Sequence, residues 1–446
     1  MTTSRHHGRM SYDTRKPRHY ERPEGLVLRS RGDLSPEAIA QRERAGALLE
    51  ALQAPRPEHP ALVSTAHGRL ERLLLTVPAY AVHHPGLAAV YRDLVAKLGH
   101  ADLVVLTHQS VRPTVERWLD DTRREVSHEV IEAPDHLHFS VWAEDGYVVV
   151  ADGDSGTIYF VEPYAFPRYG DGLIADFVAN ATDIESSQAP LYFQGGNLLI
   201  GDDFFLIGAD YPANTLKYVG SVLQPEPGVP PAEFIRRLYG DYMDRERTLH
   251  YVGSTIPVPA QTSQRVEIDG ETWTEHLYLG NREGTVQPLF HIDMFITLAG
   301  RDDEGRYRVL VGDPRLAADI LGLPVVAHAM VEVFDNIARG LERLGFVVHR
   351  NPLPLIHLDD DIARERIWYF ATSNNALVEI TDGTRRVWLP TYGHGAWAGL
   401  AATDDANADT WTEFGFEVNL LGDFHPFAEN LGAVHCIKKY LRRGDA

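Results

Sequence analysis

The segment Gln287–Ala299 carries two side chains capable of acid–base chemistry, His291 and Asp293, in an otherwise apolar stretch. The apolar run predicts a β-strand from Phe290 to Leu298, and side chains two positions apart on a strand project from the same face. An imidazole and a carboxylate on one buried face are costly unless they have polar partners. The pattern therefore predicts either a hydrogen-bonded core pair or one half of an active site.

The only cysteine of the chain, Cys436, is the candidate nucleophile and lies in the late segment Gly432–Ile437. A lone cysteine is more often an inert core residue. As a nucleophile it needs thiolate character and a nearby acid–base group, for which His291 is a candidate. His435 is adjacent in sequence, but the strand predicted around Cys436 would turn it to the opposite face.

Other polar segments lie where a loop enters a predicted strand. Asp145 belongs to Val141–Tyr147, while Gln194 and Asn197 flank a pair of glycines. Paired glycines allow the backbone to approach a ligand or another chain segment closely. The pair Asn374–Asn375 supplies a further polar contact or a strand bulge. Each of these segments could equally be an ordinary turn or cap.

The remaining polar clusters are better explained by structural roles than by ligand binding. His136 and His138 share a strand face, but the sequence offers no evident third metal ligand. Asp359–Asp361 is typical of a solvated loop, with a calcium site as the weaker alternative. No glycine-rich phosphate loop follows a predicted strand. We therefore expect neither a metal nor an organic cofactor.

Composition narrows the class of protein. The chain has 446 residues, 44% of them hydrophobic, which is enough for a large core. It lacks an apolar run of about 18 residues, so we expect no membrane association. Its basic first residues lack the apolar region of a secretory signal, and a single cysteine suits a reducing compartment, which predicts a cytoplasmic protein. The net charge of -21 disfavours nucleic acid and suits a cationic small substrate.

The order of predicted elements indicates three regions. Residues 1–34 are predicted to form a flexible N-terminal arm, and residues 35–64 a helix and linker. In residues 65–446, the order hairpin, helix and strand recurs about five times. This recurrence predicts an α/β fold with a cyclic, propeller-like arrangement rather than an open doubly wound sheet.

The ordered set of Trp142-x-x-Asp145, the glycine pair before Asn197, His291-x-Asp293 and the late Cys436 resembles the guanidine-modifying enzymes of the pentein superfamily. That superfamily includes arginine, agmatine and peptidylarginine deiminases, dimethylargininases and amidinotransferases. The resemblance covers about residues 65–446 and is closest to the peptidylarginine and agmatine deiminase branches. It implies a fivefold pseudosymmetric α/β propeller of ββαβ units and a catalytic domain over this range.

The resemblance also implies roles for individual residues. Cys436 matches the nucleophile and His291 the general acid/base, while Asp145 and Asp293 match the carboxylates that bind the guanidinium. Deiminases of this family often place a glutamate before the paired glycines, where this chain has Gln194. Together with Asn197, Gln194 is expected to contact the substrate. A neutral amide accepts a hydrogen bond but adds no charge, so we expect weaker binding of a cation.

The activity implied is hydrolysis of a guanidino compound, free or on an arginine side chain, through a covalent thiouronium on Cys436. If an amine replaces water, the same site becomes an amidinotransferase. A second alternative is a noncatalytic pentein that serves as a binding module. The sequence leaves the identity of the guanidine open, and a homo-oligomer is compatible with it.

Overall fold

A computed structural model of the chain describes residues 46–122, 126–219, 223, 225–280 and 286–444. The predicted N-terminal arm and the start of the first predicted helix lie outside these residues. Residues 46–53 are helical and are called α1. Over the described ranges, no helix is both long and apolar enough to cross a membrane.

The fold repeats a unit in which two antiparallel strands are followed by a helical connection and a third strand parallel to the second. The first elements in chain order are β1 (Pro60–Leu62), β2 (Leu70–Val77), α2 (Ala79–His83), α3 (Pro85–Lys97), β3 (Asp102–His108), α4 (Arg112–Asp121) and β4 (His128–Ala133). The strands β2, β3 and β4 are parallel neighbours joined through α3 and α4. The first strand of this unit comes from the other end of the chain, as described below.

Two complete units follow. The second unit contains β5 (Val148–Asp152), β6 (Ile158–Pro163), α5 (Tyr169–Gly172), α6 (Ile174–Ala181) and β7 (Glu185–Ala189). The third contains β8 (Leu198–Ile200), β9 (Phe204–Gly208), α7 (Asp210–Val219), α8 (Pro231–Tyr242) and β10 (Thr248–Val252). In both, the first two strands are antiparallel and the third is parallel to the second.

The rest of the chain contains two more units, interrupted by two hairpins. These elements are β11 (Thr262–Ile268), β12 (Glu271–Leu277), β13 (Ile296–Arg301), β14 (Tyr307–Asp313), α9 (Pro314–Leu321), α10 (Val331–Arg343), β15 (Val347–Pro352), β16 (Leu355–Asp360), β17 (Glu365–Phe370), β18 (Leu377–Ile380), β19 (Arg385–Thr391), α11 (Ala401–Glu413), β20 (Glu417–Asp423), α12 (His425–Ala428) and β21 (Lys438–Arg443). The fourth unit runs from β13 to β15 and the fifth from β18 to β20.

The last strand closes the repeat. β21 pairs antiparallel with β2, with Leu73 opposite Tyr440, and so supplies the missing first strand of the first unit. The described strands form six separate sheets, five of which contain one unit each. The structure therefore agrees with the predicted α/β class and with five ββαβ units along the chain.

The sixth sheet consists of β11, β12, β17 and β16 and is called the inserted sheet. The β11–β12 hairpin was not predicted from the sequence. Residues Glu365–Phe370 form β17 of the inserted sheet rather than a strand of the fifth unit. Its two hairpins interrupt the connections from β10 to β13 and from β15 to β18.

Local sequence explains how the helices begin and face the core. In α3, Pro85 occupies the first turn and the side chain of His84 accepts a hydrogen bond from the backbone N–H of Leu87. The buried residues Leu87, Val90 and Leu94 recur at helical spacing.

The strand predicted over Phe290–Leu298 is shorter in the structure. Residues Ile292–Met294 form a 3-10 turn, and the strand begins at Ile296. The backbone N–H of Ile292 donates to Asn197 Oδ1 at 3.0 Å rather than to a neighbouring strand. The local backbone is therefore satisfied by a side chain, which removes the need for strand pairing here.

Candidate active site

The repeated units gather polar residues by placing them at equivalent points. Asp145 precedes β5, residues 194–197 precede β8, and residues 291–293 precede β13. Asn375 precedes β18, and Cys436 precedes β21. The first strand of each unit thus follows one polar segment, and these segments lie in contact with one another.

Cys436 lies in a buried turn rather than in the predicted strand. Its side chain is 2% exposed. The amide of Asn375 donates to Cys436 Sγ at 3.1 Å, and Asn375 Oδ1 accepts the backbone N–H of Cys436 at 3.2 Å. Burial and the nearby carboxylates of Asp293 and Asp145 raise the pKa of the thiol well above its usual value. With these neighbours alone, the thiol stays protonated at neutral pH.

Asp293 is in direct contact with the cysteine. Its Oδ2 atom lies 3.5 Å from Cys436 Sγ and accepts a hydrogen bond from His435 Nδ1 at 2.9 Å. Its Oδ1 atom is buried and accepts no hydrogen bond from the described residues. Burial, and repulsion from Asp145 and Glu144, raise the pKa of Asp293 well above its usual value. The positive charge of a cation placed here would favour the ionised carboxylate and so lower the pKa of Asp293 again.

The prediction that His435 faces away from Cys436 is wrong. Side-chain alternation applies to extended strands, whereas residues 434–437 form a turn. The structure places His435 against Asp293, and its Nε2 atom is buried without a partner among the described residues. Burial and the charges of Lys438 and Lys439 lower the pKa of His435 well below its usual value, so the ring is neutral at neutral pH.

His291 lies between Gln194 and Asp145, two side chains that were predicted to belong to the same site. Its Nε2 atom is 3.1 Å from Gln194 Oε1 and 3.1 Å from the hydroxyl of Tyr211. Its Nδ1 atom is 3.6 Å from Asp145 Oδ1. Donation of the Nε2 proton to Gln194 would leave Nδ1 as the basic nitrogen on the side of the two aspartates.

Asp145 is paired on one side with Arg168, a residue that no sequence motif had indicated. Arg168 Nη2 donates to Asp145 Oδ2 at 2.6 Å, and Arg168 Nε donates to Asp171. The other oxygen of Asp145 is buried and accepts no hydrogen bond within the described ranges. Asp145 therefore has one oxygen anchored by the protein and one directed toward His291.

Gly196 marks the point where these groups converge. A Cβ atom at this position would lie 2.5 Å from His291 Nδ1 and 3.2 Å from both Asp145 Oδ1 and Asp293 Oδ2. Any residue larger than glycine at position 196 would displace these three polar atoms. The glycine pair noted in the sequence thus serves close approach of the backbone to the site.

The structure places Asn197 beneath the segment that carries His291. Its amide exchanges two hydrogen bonds with the amide of Gln287, at 2.9 and 3.1 Å. Its Oδ1 atom also holds the backbone of Ile292. These contacts give Asn197 a positioning role, while its predicted contact with a substrate stays a prediction.

A buried charge cluster, defined as Glu144, Lys438 and Lys439, ties the Asp145 loop to the strand that follows Cys436. Glu144 Oε2 lies 3.0 Å from Lys438 Nζ and Glu144 Oε1 lies 2.8 Å from Lys439 Nζ. Lys439 also donates to the backbone oxygen of Tyr147 at 2.6 Å. Two consecutive lysines directly after the apolar segment Gly432–Ile437 were the available sequence signal, because buried lysines require a partner.

Other polar residues singled out from the sequence do not join this site. Asp359 forms an ion pair with Arg366 on the inserted sheet. Over the described ranges, no group of three or more His, Cys, Asp or Glu side chains is arranged to hold a metal ion. His136 and His138 therefore have no third ligand there.

The fold and site together define an α/β protein of repeated ββαβ units with a buried Cys436, His291, Asp145 and Asp293 cluster. Three solved structures with a similar fold are agmatine deiminases or are assigned to that group. A structural-genomics target with a provisional agmatine deiminase assignment is 14% identical, with a TM-score of 0.58 over 88% of this chain and 98% of its own.

The agmatine deiminase of C. jejuni is 13% identical, with a TM-score of 0.56 over 87% of this chain and 97% of its own. That of Enterococcus faecalis is 14% identical, with a TM-score of 0.54 over 87% and 98%. No protein-family model matches the sequence, and no curated protein matches it. At these identities the similarity shows the fold of the chain.

Proposed function

We propose that this protein hydrolyses a guanidino compound through a covalent intermediate on Cys436. The observation that carries this proposal is the convergence of Asp145 Oδ1, Asp293 and His291 Nδ1 around Gly196, beside a buried thiol. Two carboxylates with buried oxygens that accept no hydrogen bond from the described residues suit a planar cation with forked N–H groups. The fold supports the proposal, because agmatine, the compound named for the similar structures, is a guanidine.

The bound cation would also activate the nucleophile. The pKa of the Cys436 thiol is raised by burial and by Asp293 and Asp145. A guanidinium between these carboxylates would offset their charge and so favour the thiolate. The site would then generate its nucleophile mainly when a cationic substrate is present.

The reaction can be written with residues of this chain alone. The thiol gives its proton to His291, and the thiolate sulfur forms a bond to the guanidinium carbon. His291 then donates that proton to the departing nitrogen as the carbon–nitrogen bond breaks, which leaves a thiouronium on Cys436. His291 takes a proton from a water molecule as the water oxygen bonds to the carbon. The carbon–sulfur bond then breaks, the sulfur takes the proton of the new hydroxyl group, and His291 releases its proton to solvent. A ureido product and an amine or ammonia result.

Gln194 distinguishes this site from the deiminases that carry glutamate at this position. Its Oε1 atom lies 3.1 Å from His291 Nε2, so it orients the imidazole without adding charge. We propose that Asp145 and Asp293 alone supply the negative charge that binds the cation, with one oxygen of Asp145 committed to Arg168. We also propose that the five units surround this site as a pseudosymmetric propeller, in a cytoplasmic protein.

Product analysis tests the function. Purified protein is incubated with a panel of guanidino compounds, with and without added amines, and the products are identified by mass spectrometry. We expect a ureido product that does not depend on an added amine. A new guanidino product formed only with the amine would establish an amidinotransferase, and binding without conversion would establish a noncatalytic binding module.

Replacing Gly196 with alanine should reduce kcat/KM by at least about 100-fold, because the added methyl group would displace His291 and both aspartates. The fold should persist, as judged by circular dichroism. The matched control is Gly240→Ala in α8, where the new Cβ would have no described atom within 4 Å apart from its chain neighbours and the helix's own backbone. Equal activity of Gly196→Ala and the unmodified protein would show that catalysis occurs elsewhere.

A further inference from the structure

An apolar cavity lies between the inserted sheet and two segments that carry residues of the candidate active site. Its lining includes Phe290, Met294, Leu355, Trp368, Phe370 and Leu431. Phe290 and Met294 flank the segment of His291 and Asp293. Leu431 precedes the turn that holds Cys436.

One aromatic ring separates the cavity from the imidazole of His291. The ring of Phe290 lines the cavity and stacks on the ring of His291, with centroids 4.1 Å apart and an interplanar angle of 29°. A group bound in the cavity would therefore be separated from His291 by one aromatic ring.

Backbone strain is concentrated around this cavity. Five non-glycine residues of the described chain have left-handed backbone angles. Three of them line the cavity, namely Tyr278, Met330 and Leu431, with φ of 56°, 54° and 66°. Such strained positions persist where the surrounding structure holds them, and they cluster at ligand sites.

The lining offers no charge to a ligand. No Asp, Glu, Lys or Arg side chain lines the cavity within the described residues. His328 does line it, but burial lowers its pKa, so the ring is neutral at neutral pH. The polar atoms of Trp368 and Tyr369 are committed elsewhere, to Glu275 and His425. The Nε2 atom of His328 is buried without a hydrogen-bond partner among the described residues, so it could pair with a polar group. An ammonium or carboxylate placed here would still lose its hydration without gaining a partner of opposite charge.

Resting on the proposed function, we infer that the substrate carries an uncharged apolar group, best an aromatic ring, opposite its guanidinium end. The aromatic lining favours stacking and edge contacts with such a ring. The inserted sheet forms one wall of the cavity and so determines specificity. Free arginine and agmatine, which carry charged groups at that end, are then poor substrates.

The test compares kcat/KM for 4-phenylbutylguanidine, agmatine and arginine. We expect the phenyl compound to be preferred by at least about tenfold. Leu355→Asp places a carboxylate in the half-buried wall, so it should lower kcat/KM for the phenyl compound at least about tenfold and favour agmatine. Leu358→Asp on the same strand is the control, because Leu358 is 38% exposed and lies outside the lining.

The outcomes separate this inference from the proposed function. If agmatine or arginine is converted as efficiently as the phenyl compound, the inference is overturned and the function stands. If no guanidine is converted, the proposed function fails. Calorimetry then tests whether 4-phenylbutylguanidine binds in the cavity. Binding that Leu355→Asp leaves unchanged would overturn the inference as well.

Discussion

Replacing Cys436 with alanine should abolish formation of the ureido product, with a loss of at least about 10³-fold in kcat. The thiol of Cys436 contacts Asp293, and the other groups of the site can orient a guanidinium but do not supply a thiolate to form the covalent intermediate. Binding should survive, because Asp145, Asp293 and His291 are unchanged. Rapid-quench kinetics and calorimetry measure the two quantities separately.

The single cysteine makes this result easy to interpret. A covalent adduct seen by intact-mass spectrometry in the unmodified protein can be assigned by its absence from Cys436→Ala. Val434→Ala is the matched control, because Val434 is buried in the same turn and belongs to the apolar core. It should lower stability and keep turnover. Turnover by Cys436→Ala at the normal rate would rule out both the hydrolase and the amidinotransferase.

The sequence allowed the candidate site residues to be chosen, and the structure brings them together, but their local backbone could not be predicted. His291, Asp293 and Cys436 stand in apolar stretches that favour strands, but none of the three lies in a strand of the structure. The reason lies in contacts between distant parts of the chain. Asn197 holds the backbone of Ile292, and Asn375 holds that of Cys436, so side chains replace the strand pairing that the local pattern predicts.

The ion pairs around the site were also beyond the sequence. Lys438 and Glu144 are 294 positions apart, and Arg168 approaches Asp145 from a separate loop. Local periodicity carries no information on such pairs, because they depend on how separate units pack. The repeat of hairpin, helix and strand could be predicted, since each unit buries a local apolar pattern. The inserted sheet could not, because its β11 is mostly exposed and carries a weak apolar pattern.

The same buried charges lead to the largest expected effect on stability. Glu144→Gln should lower the free energy of unfolding by about 3–5 kcal/mol, because Lys438 and Lys439 would lose their buried counter-charge. Urea denaturation measures the loss. Glu417→Gln is the control, since Glu417 pairs with Arg386 at the surface, where an ion pair contributes about 0–1 kcal/mol.

A double variant separates charge from packing. Glu144, Lys438 and Lys439 carry one net positive charge, and Glu144→Gln raises this to two. Adding Lys438→Met restores the original net charge, while Lys439 keeps its bonds to the backbone oxygens of Glu144 and Tyr147. The double variant should therefore be more stable than Glu144→Gln alone. If it is less stable, packing around Lys438 rather than its charge maintains the cluster.

The pH dependence of Glu144→Gln gives an independent check on this explanation. Burial lowers the pKa of both lysines below the usual value. In the variant, raising the pH toward these lowered pKa values should release protons from the folded state before the unfolded state. Its stability should then rise with pH relative to the unmodified protein, because neutral amines need no counter-charge. If the difference in unfolding free energy between Glu144→Gln and the unmodified protein stays constant up to pH 10, Glu144 acts through hydrogen bonding and shape instead.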